Sequence, residues 1–336
     1  MAAVVVLGQV GRDLVLRLPA VPEAGGSAAV TGRAEVLGGK GANQAVALAQ
    51  LGVPVALVGV VGDDAAGRDA LAQAAADGID VSGVVARPGA TTALLLDLVE
   101  DGGRRRLVEH VPPAVLLTAA DVTAAAGLVA GCEVLSLQLQ QPGAAVRAAL
   151  ELAPPTALVV ADGAPEDAGT REAVLARADV VRADAAEAEL LVGHRLSGPD
   201  DARDAAARLL VAGPRLVALA TGPEGDLVVW RAGPAPGVAA GVGEAEPAWA
   251  DGEVLVPRLG GAPVDPTGAG DAWVAALVTA LRGRRGPEEA AWLGAAAGAS
   301  AVAHAGGRPA LDPGALAEVV ARERAGGGTR LSSGRG

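Results

Sequence analysis

The sequence predicts an α/β fold: a central, mostly parallel sheet with helices on both faces, and a small β lid beside it. Three observations point there. Short apolar runs rich in Val and Leu alternate with Ala-rich stretches that stop at glycine. Hydrophobic residues make up 51 % of the chain, yet Phe and Tyr are absent and Trp occurs 4 times, so the core must be layered Ala, Val and Leu. The third is a break in the alternation. The hairpin signal Asp101-Gly102-Gly103, between the runs 94–100 and 104–109, and the segment 30–36 stand apart from it as lid pieces.

The elements follow in order. Residues 4–7, a β-branched run before Gly8, read as a buried first strand. Residues 43–51 are Ala-rich with Gly52 behind them, a helix with a glycine stop. A strand is predicted at 55–61 and a helix at 65–76, ended by Gly78. After the hairpin, strands at 134–137, 157–160 and 216–219 alternate with helices near 143–152, 185–191 and 202–210. Helices at 269–281 and 287–303 close the pattern. Residues 231–252 are rich in Gly, Pro and Ala and read as a surface loop or insertion. The Gly/Ser/Arg-rich stretch 326–336 reads as a flexible tail. The expected organisation is one domain over 1–325, with the lid from about 12–37 and 90–112.

A net charge of −12 and a pI near 4.8 argue against a nucleic-acid partner, which needs clustered cations. The one dense basic run, Arg104 to Arg106, reads as a solvated edge strand or turn in preference to an anion site. The single cysteine, Cys132, excludes an intramolecular disulfide and reads as a buried thiol. The apolar start is too short to span a membrane and lacks a basic leader, so no membrane partner and a cytoplasmic location are expected.

Two glycine-rich loops, LGGKGANQAVALAQLG at 37–52 and VDPTGAGDAWVAAL at 264–277, each open an Ala-rich helix. A helix start offers unpaired N–H groups and roughly half a positive charge, which suits anions. Neither loop is a GxxxxGK[ST] phosphate loop. In the second, Gly268, Ala269 and Gly270 would wrap amides around a phosphoryl group. Asp271, one step on, could accept the proton of an attacking hydroxyl or simply cap the helix. In the first, taken alone, Lys40 and Asn43 beside the glycines read rather as a polar turn.

Both segments, in this order, resemble the paired signatures of the ribokinase-like, or phosphofructokinase-B-like, carbohydrate kinases. The likeness runs from about Val4 to Ala325. It implies a three-layer α/β sandwich with a β lid and ATP-dependent phosphorylation of a sugar hydroxyl, helped by Mg²⁺ and a monovalent cation such as K⁺. Carried over motif by motif, it implies sugar contacts from Asp13 in GQVGRD and from Gly39, Lys40 and Asn43, with Asp271 as base and Gly268 to Gly270 as anion hole. It places Asp184 and Glu187 of RADAAEAELLVG near Mg²⁺ and the phosphates, and Thr221, Gly222 and Gly225 of ALATGPEGDLVVW at the nucleotide, with Gly270 and Ala295. On spacing alone, Asp184 and Glu187 would also pass as a solvated acidic face, and TGxxG as a plain turn. The implied cation set is Asp265, Thr267, Ala301, His304, Gly306 and Ala310, mostly through backbone carbonyls.

The chain departs from the pattern at two sugar positions. Gly11 stands where an Asn is usual, and Gln140 where a Glu is usual. A ribose-like furanose is the leading acceptor. A nucleoside is the alternative, as is a sugar-binding relative without catalysis. The absence of Phe and Tyr near the lid favours the smaller acceptor, because bases stack on aromatic rings. A homodimer through the lid is an arrangement left open.

Overall fold

The first strand already shows how the sheet is covered. Val4 and Val6 face one apolar cluster while Val5 and Leu7 face another, because successive side chains point to opposite faces. A strand buried on both faces reads as an unbroken apolar run, which is the look of a parallel sheet under helices. The computed structural model describes residues 2–102, 104–236, 248–261, 264–265, 267–303 and 308–325.

The chain starts with β1 (Val4–Leu7) and passes directly into the lid strands β2 (Gly11–Leu18) and β3 (Gly32–Gly38). It then returns through α1 (Lys40–Gln50), β4 (Val55–Gly62), α2 (Ala65–Ala76) and β5 (Asp80–Arg87) before re-entering the lid as β6 (Ala93–Glu100) and β7 (Arg105–His110). Short α3 (Ala119–Ala124) and α4 (Ala126–Val129) lead to β8 (Val134–Gln138), α5 (Gly143–Leu152), β9 (Leu158–Asp162), α6 (Ala168–Arg177) and β10 (Val180–Ala183). Next come α7 (Ala185–Val192), α8 (Pro199–Ala212), β11 (Leu216–Ala220) and β12 (Asp226–Trp230). The two-residue strands β13 (Gly233–Pro234) and β14 (Ala248–Trp249) pair with each other, and β15 (Gly252–Val256), α9 (Ala269–Arg282), α10 (Pro287–Ala301) and α11 (Pro313–Ala325) complete the chain.

The nine-stranded central sheet has the order β15-β12-β11-β10-β9-β8-β1-β4-β5. It is parallel from β11 to β5, with β12 and β15 antiparallel at one edge. The chain leaves β1 first toward β4 and later toward β8, so the order reverses there. In such sheets ligands bind beyond the carboxyl ends of the strands at that reversal. The largest fully buried side chains are all Leu, as the missing Phe and Tyr require.

The lid sheet runs β3-β2-β6-β7. Its outer pairs are antiparallel, but β2 and β6 are parallel, because the excursion through β4, α2 and β5 brings the chain back in the same sense. Parts of 231–252 pair as β13 with β14, and residues 237–247 lie outside the described set, as does the stretch 326–336. Cys132 is buried, and burial pushes its thiol up to about 11. Among the described residues no helix is long and apolar enough to cross a membrane.

Candidate active site

A cavity of about 740 Å³ opens at the carboxyl ends of the strands, between the central sheet and the lid. The starts of α1 and α9 form its floor. α1 begins at Gly39 (φ 90), whose conformation a side chain would strain, and nothing caps it by side chain. The helix start lies backbone against backbone on the end of β1: a Cβ at Gly41 would fall 2.7 Å from the Gly8 carbon. From this anchored turn Lys40, Asn43 and Gln44 project along one helix face into the cavity or beneath it.

α9 begins at Gly268, left-handed at φ 75 and again without a side-chain cap. Its first intrahelical bond is Ala272 N–H to Gly268 O, so the amides of residues 269–271 have no partner within the helix. Asp271 sits in this first turn and is buried, and Gly268, Ala269, Gly270 and Asp271 all line the cavity.

Asp271 joins a polar network. Its Oδ1 accepts from Gln44 Nε2 at 3.3 Å and its Oδ2 from Asn43 Nδ2 at 3.4 Å. Gln44 Nε2 also donates to Asp162 Oδ2 (2.9 Å), and Ser136 Oγ donates to Gln44 Oε1 (3.0 Å). Burial, and then the Asp162 charge, push the Asp271 carboxyl up to about 7, against the pull of Lys40, Gln44 and Asn43. A carboxyl poised there suits a general base at neutral pH.

Cations stand on the other side. Lys40 Nζ is 2.7 Å from Glu187 Oε1. Burial opposes the lysine charge, but Glu187, Asp162 and Asp271 together outweigh it and hold its pKa above the ordinary value. Arg182 Nη1 lies 3.0 Å from Asp162 Oδ1, and a Cβ on Gly270 would fall 2.7 Å from Arg182 Nη1, so the guanidinium lies against the first turn of α9. Asp184 and Glu187 form a reciprocal capping box at the start of α7, each carboxylate accepting the other's backbone N–H at 2.9 Å. Glu187 is buried and bound to Lys40, so this is no solvated acidic face.

At the lid end, Asp13 on β2 is buried, with Gly39 N–H supporting it. Burial, then Asp97, then Asp271, raise it to about 7. A side chain on Gly38 would fall inside the Asp13 carboxylate, which is why the loop needs its first glycine. Gly39, Lys40, Asn43 and Gln140 line the same cavity, Gln140 at its exposed edge. Gly11 does not line it. A Cβ there would meet Ala93 O at 2.8 Å, so that position serves the close β2–β6 pairing.

Gly222, Ala295 and Asp184 also line the cavity. Thr221 and Gly225 sit behind the wall: Thr221 Oγ1 donates to Gly225 O (2.9 Å) and closes the turn. Asp265 is fully buried, and its Oδ1 accepts from Thr267 N (2.9 Å) and Oγ1 (2.5 Å). Thr267 lines the cavity, Ala301 is buried at the end of α10, and Ala310 O accepts from Ser300 Oγ at 3.2 Å. His304 and Gly306 lie outside the described residues.

Sequence reading missed Gln44, Asp97, Arg105, Asp162, Arg182 and Asp226. Asp162 and Arg182 lie at or near the carboxyl ends of β9 and β10, so a charge ending an apolar run was the available signal. The basic run on β7 divides by alternation: Arg104 and Arg106 pair with Glu100, while Arg105 reaches Asp97 and lines the cavity.

The pfkB family carbohydrate kinase model matches residues 1–313. Ribokinase of Mus musculus is 29 % identical over 279 residues, 82 % of this chain and 80 % of its own. Among solved structures, Arabidopsis thaliana ribokinase complexed with ribose and ATP superposes with a TM-score of 0.73 at 21 % identity, covering 95 % of this chain and 98 % of its own. Escherichia coli phosphofructokinase-2 in complex with fructose-6-phosphate gives 0.73 at 22 %, covering 96 % of this chain and 99 % of its own. The structural likeness supports the fold, and the family model spans nearly the whole chain: the protein belongs to the pfkB family of carbohydrate kinases.

Proposed function

We propose that the chain transfers the γ-phosphoryl group of ATP to a hydroxyl of a ribose-like furanose. The acceptor oxygen forms the new bond to phosphorus, the bond from phosphorus to the β,γ-bridging oxygen breaks, and Asp271 takes the hydroxyl proton. The observation that carries this reading is the placement of Asp271: buried, raised to about 7, in the first turn of α9 beside the 268–270 amides. Arg182 and Lys40 supply positive charge for the transferring group, and Asp13 with Asn43 holds the sugar. ATP lies toward Gly222 and Ala295.

Asp184, which lines the cavity and is held in place by the capping box with Glu187, would sit near Mg²⁺ carried by the phosphates, and the ion would neutralise developing charge. A hard monovalent cation such as K⁺ would be held at the fully buried Asp265 carboxylate beside Thr267, since carboxylate and carbonyl oxygens suit such ions. The sole aromatic residue lining the cavity among those described is Trp273, which packs on Gly294 of α10, so nothing stacks a nucleobase on the lid. Pairing of two copies through the lid goes with this reading, since Leu94 and Val108 are exposed there.

A coupled ADP-release assay over pentoses, hexoses and nucleosides, with and without K⁺ at fixed ionic strength, tests the proposal. A furanose sugar should be the best acceptor and K⁺ should raise the rate. Turnover confined to nucleosides, or sugar binding without turnover, would replace the reading.

A further inference from the structure

The lid turns an unexpectedly charged face to the cavity. Pairing places Asp13 opposite Leu95 and Leu95 opposite Glu109, and in the next row on the same face Val15, Asp97 and Leu107 align. Asp97 is 1 % exposed and lines the cavity. Its Oδ1 accepts from Arg105 Nε at 2.5 Å, which fixes the carboxylate, while its Oδ2 has no hydrogen-bond partner among the described residues. Asp13 Oδ1 and Asn43 Oδ1 are buried without partners in the same way. Three orphaned oxygens on residues that line one cavity, two from the lid and one from α1, call for donors from a ligand, because a buried acceptor left unpaired is costly.

Building on the sugar-kinase reading, we propose that Asp97 binds the acceptor directly through Oδ2, with Arg105 as its positioning residue, and that this pair selects an unphosphorylated polyhydroxy sugar over a sugar phosphate. Asp97 lies two residues along its strand from the row of Asp13, about 7 Å. A pentose or hexose held at one end by Asp13 therefore reaches Asp97 with a hydroxyl further along. The charge pattern gives the sign of the selection. Asp13, Asp97 and Glu109 all face this end, and the Arg105 guanidinium is engaged by Asp97 and lies 3.6 Å from Asp265. A hydroxyl can donate to these oxygens, whereas a phosphate group can only add to the negative charge.

The test uses the full chain with MgATP, ribose, fructose, ribose 1-phosphate and fructose 6-phosphate, reading both turnover and calorimetric sugar binding. Wild type should favour a neutral sugar by about a hundredfold or more in kcat/KM over either phosphate. Asp97→Ala should raise the KM and the Kd of that sugar about tenfold or more, with the KM for ATP within about threefold. Asp97→Asn, nearly isosteric, guards against a folding failure. Its oxygen stays with Arg105 and its amide turns a donor toward the sugar, so it should lose affinity similarly. Arg105→Met should weaken the same sugar, and Arg105→Lys should restore part of the loss. Preference of the wild type for a sugar phosphate, or unchanged sugar Kd in both Asp97 variants, would overturn the proposal. Binding separates it from the parent reading: if no compound is phosphorylated but Asp97→Asn still weakens sugar binding, the kinase reading fails and the Asp97 assignment stands.

Discussion

The starts of α1 and α9 are built from the same device and put to different uses. Each begins at a positive-φ glycine without a side-chain cap. α1 spends its start on anchorage: Gly41 rests on the Gly8 backbone and Ala42 N–H donates to Gln9 O at 3.1 Å. Its contribution to the cavity is side chains, Lys40 and Asn43. α9 leaves its first turn facing the cavity, with Arg182 across Gly270, and contributes amides and one carboxylate. A glycine-rich turn is thus not one motif with one job. What lies against the glycine decides whether it serves structure or chemistry.

The sharpest test of the contrast is Asp271→Asn. It should lower kcat by about 10²–10⁴-fold while ATP and sugar affinities stay near wild type, checked by steady-state kinetics and calorimetry. Retention of more than about a tenth of the turnover would remove Asp271 from the role of base.

Alanine at the two glycines should then separate. Gly270→Ala pushes a movable guanidinium, so it should cost roughly ten- to a hundredfold in kcat with little change in Tm. Gly41→Ala pushes backbone, so it should destabilise the fold by about 1–3 kcal/mol in denaturant melts. The reverse outcome would mean that the two turns have been assigned the wrong way round.

The Asp271 carboxyl should also set the pH dependence. Asp271 must be ionised to act, so kcat/KM should rise about tenfold per unit below a pKa of about 7 and level off above it. Stability should move oppositely. Asp271 and Asp13 are raised from 3.8 to about 7 in the folded chain, so their contribution is full below 3.8 and lost as pH rises through 7. Melting temperatures between pH 4 and 8 should show this decline, shallower in Asp271→Asn.

The smallest functional effect is expected at Gly11. Gly11→Asn should not improve use of ribose, because the side chain would meet Ala93 of β6, and it should cost about 1–3 kcal/mol of stability. Improved ribose kcat/KM would mean that β2 and β6 can part to admit a sugar contact there.

Most of the fold was legible because helices over both faces impose a simple rule on sequence. The helix predicted at 65–76 matches α2, and VVVL matches β1. β5, β10, β12 and β15 were missed: β5 and β15 lie at the edges of the central sheet, where half-buried residues carry neither a clean alternation nor an apolar run, and β10 and β12 are interior strands of 4 and 5 residues, too short to stand out as runs. The glycine loops of the site were legible because their chemistry is local in sequence. Asp162, Arg182 and Asp97 were not, since each is a lone charge at a strand end or inside a lid strand. Their meaning comes from partners on other elements: Asp162 meets Gln44, 118 residues away, and Arg182, 20 away, while Asp97 meets Arg105 across the β6–β7 turn.

The Leu-and-Ala core also has an optical consequence. With no Tyr and 4 Trp, near-ultraviolet absorption and emission come from indoles alone. Trp273 lines the cavity, whereas Trp292 is buried in α10 and Trp230 and Trp249 lie toward the β12–β15 edge. Replacing those three would leave one chromophore in the wall of the site, with no tyrosine to transfer energy to it. Ligand occupancy could then be followed as a shift of a single emission band, without a label.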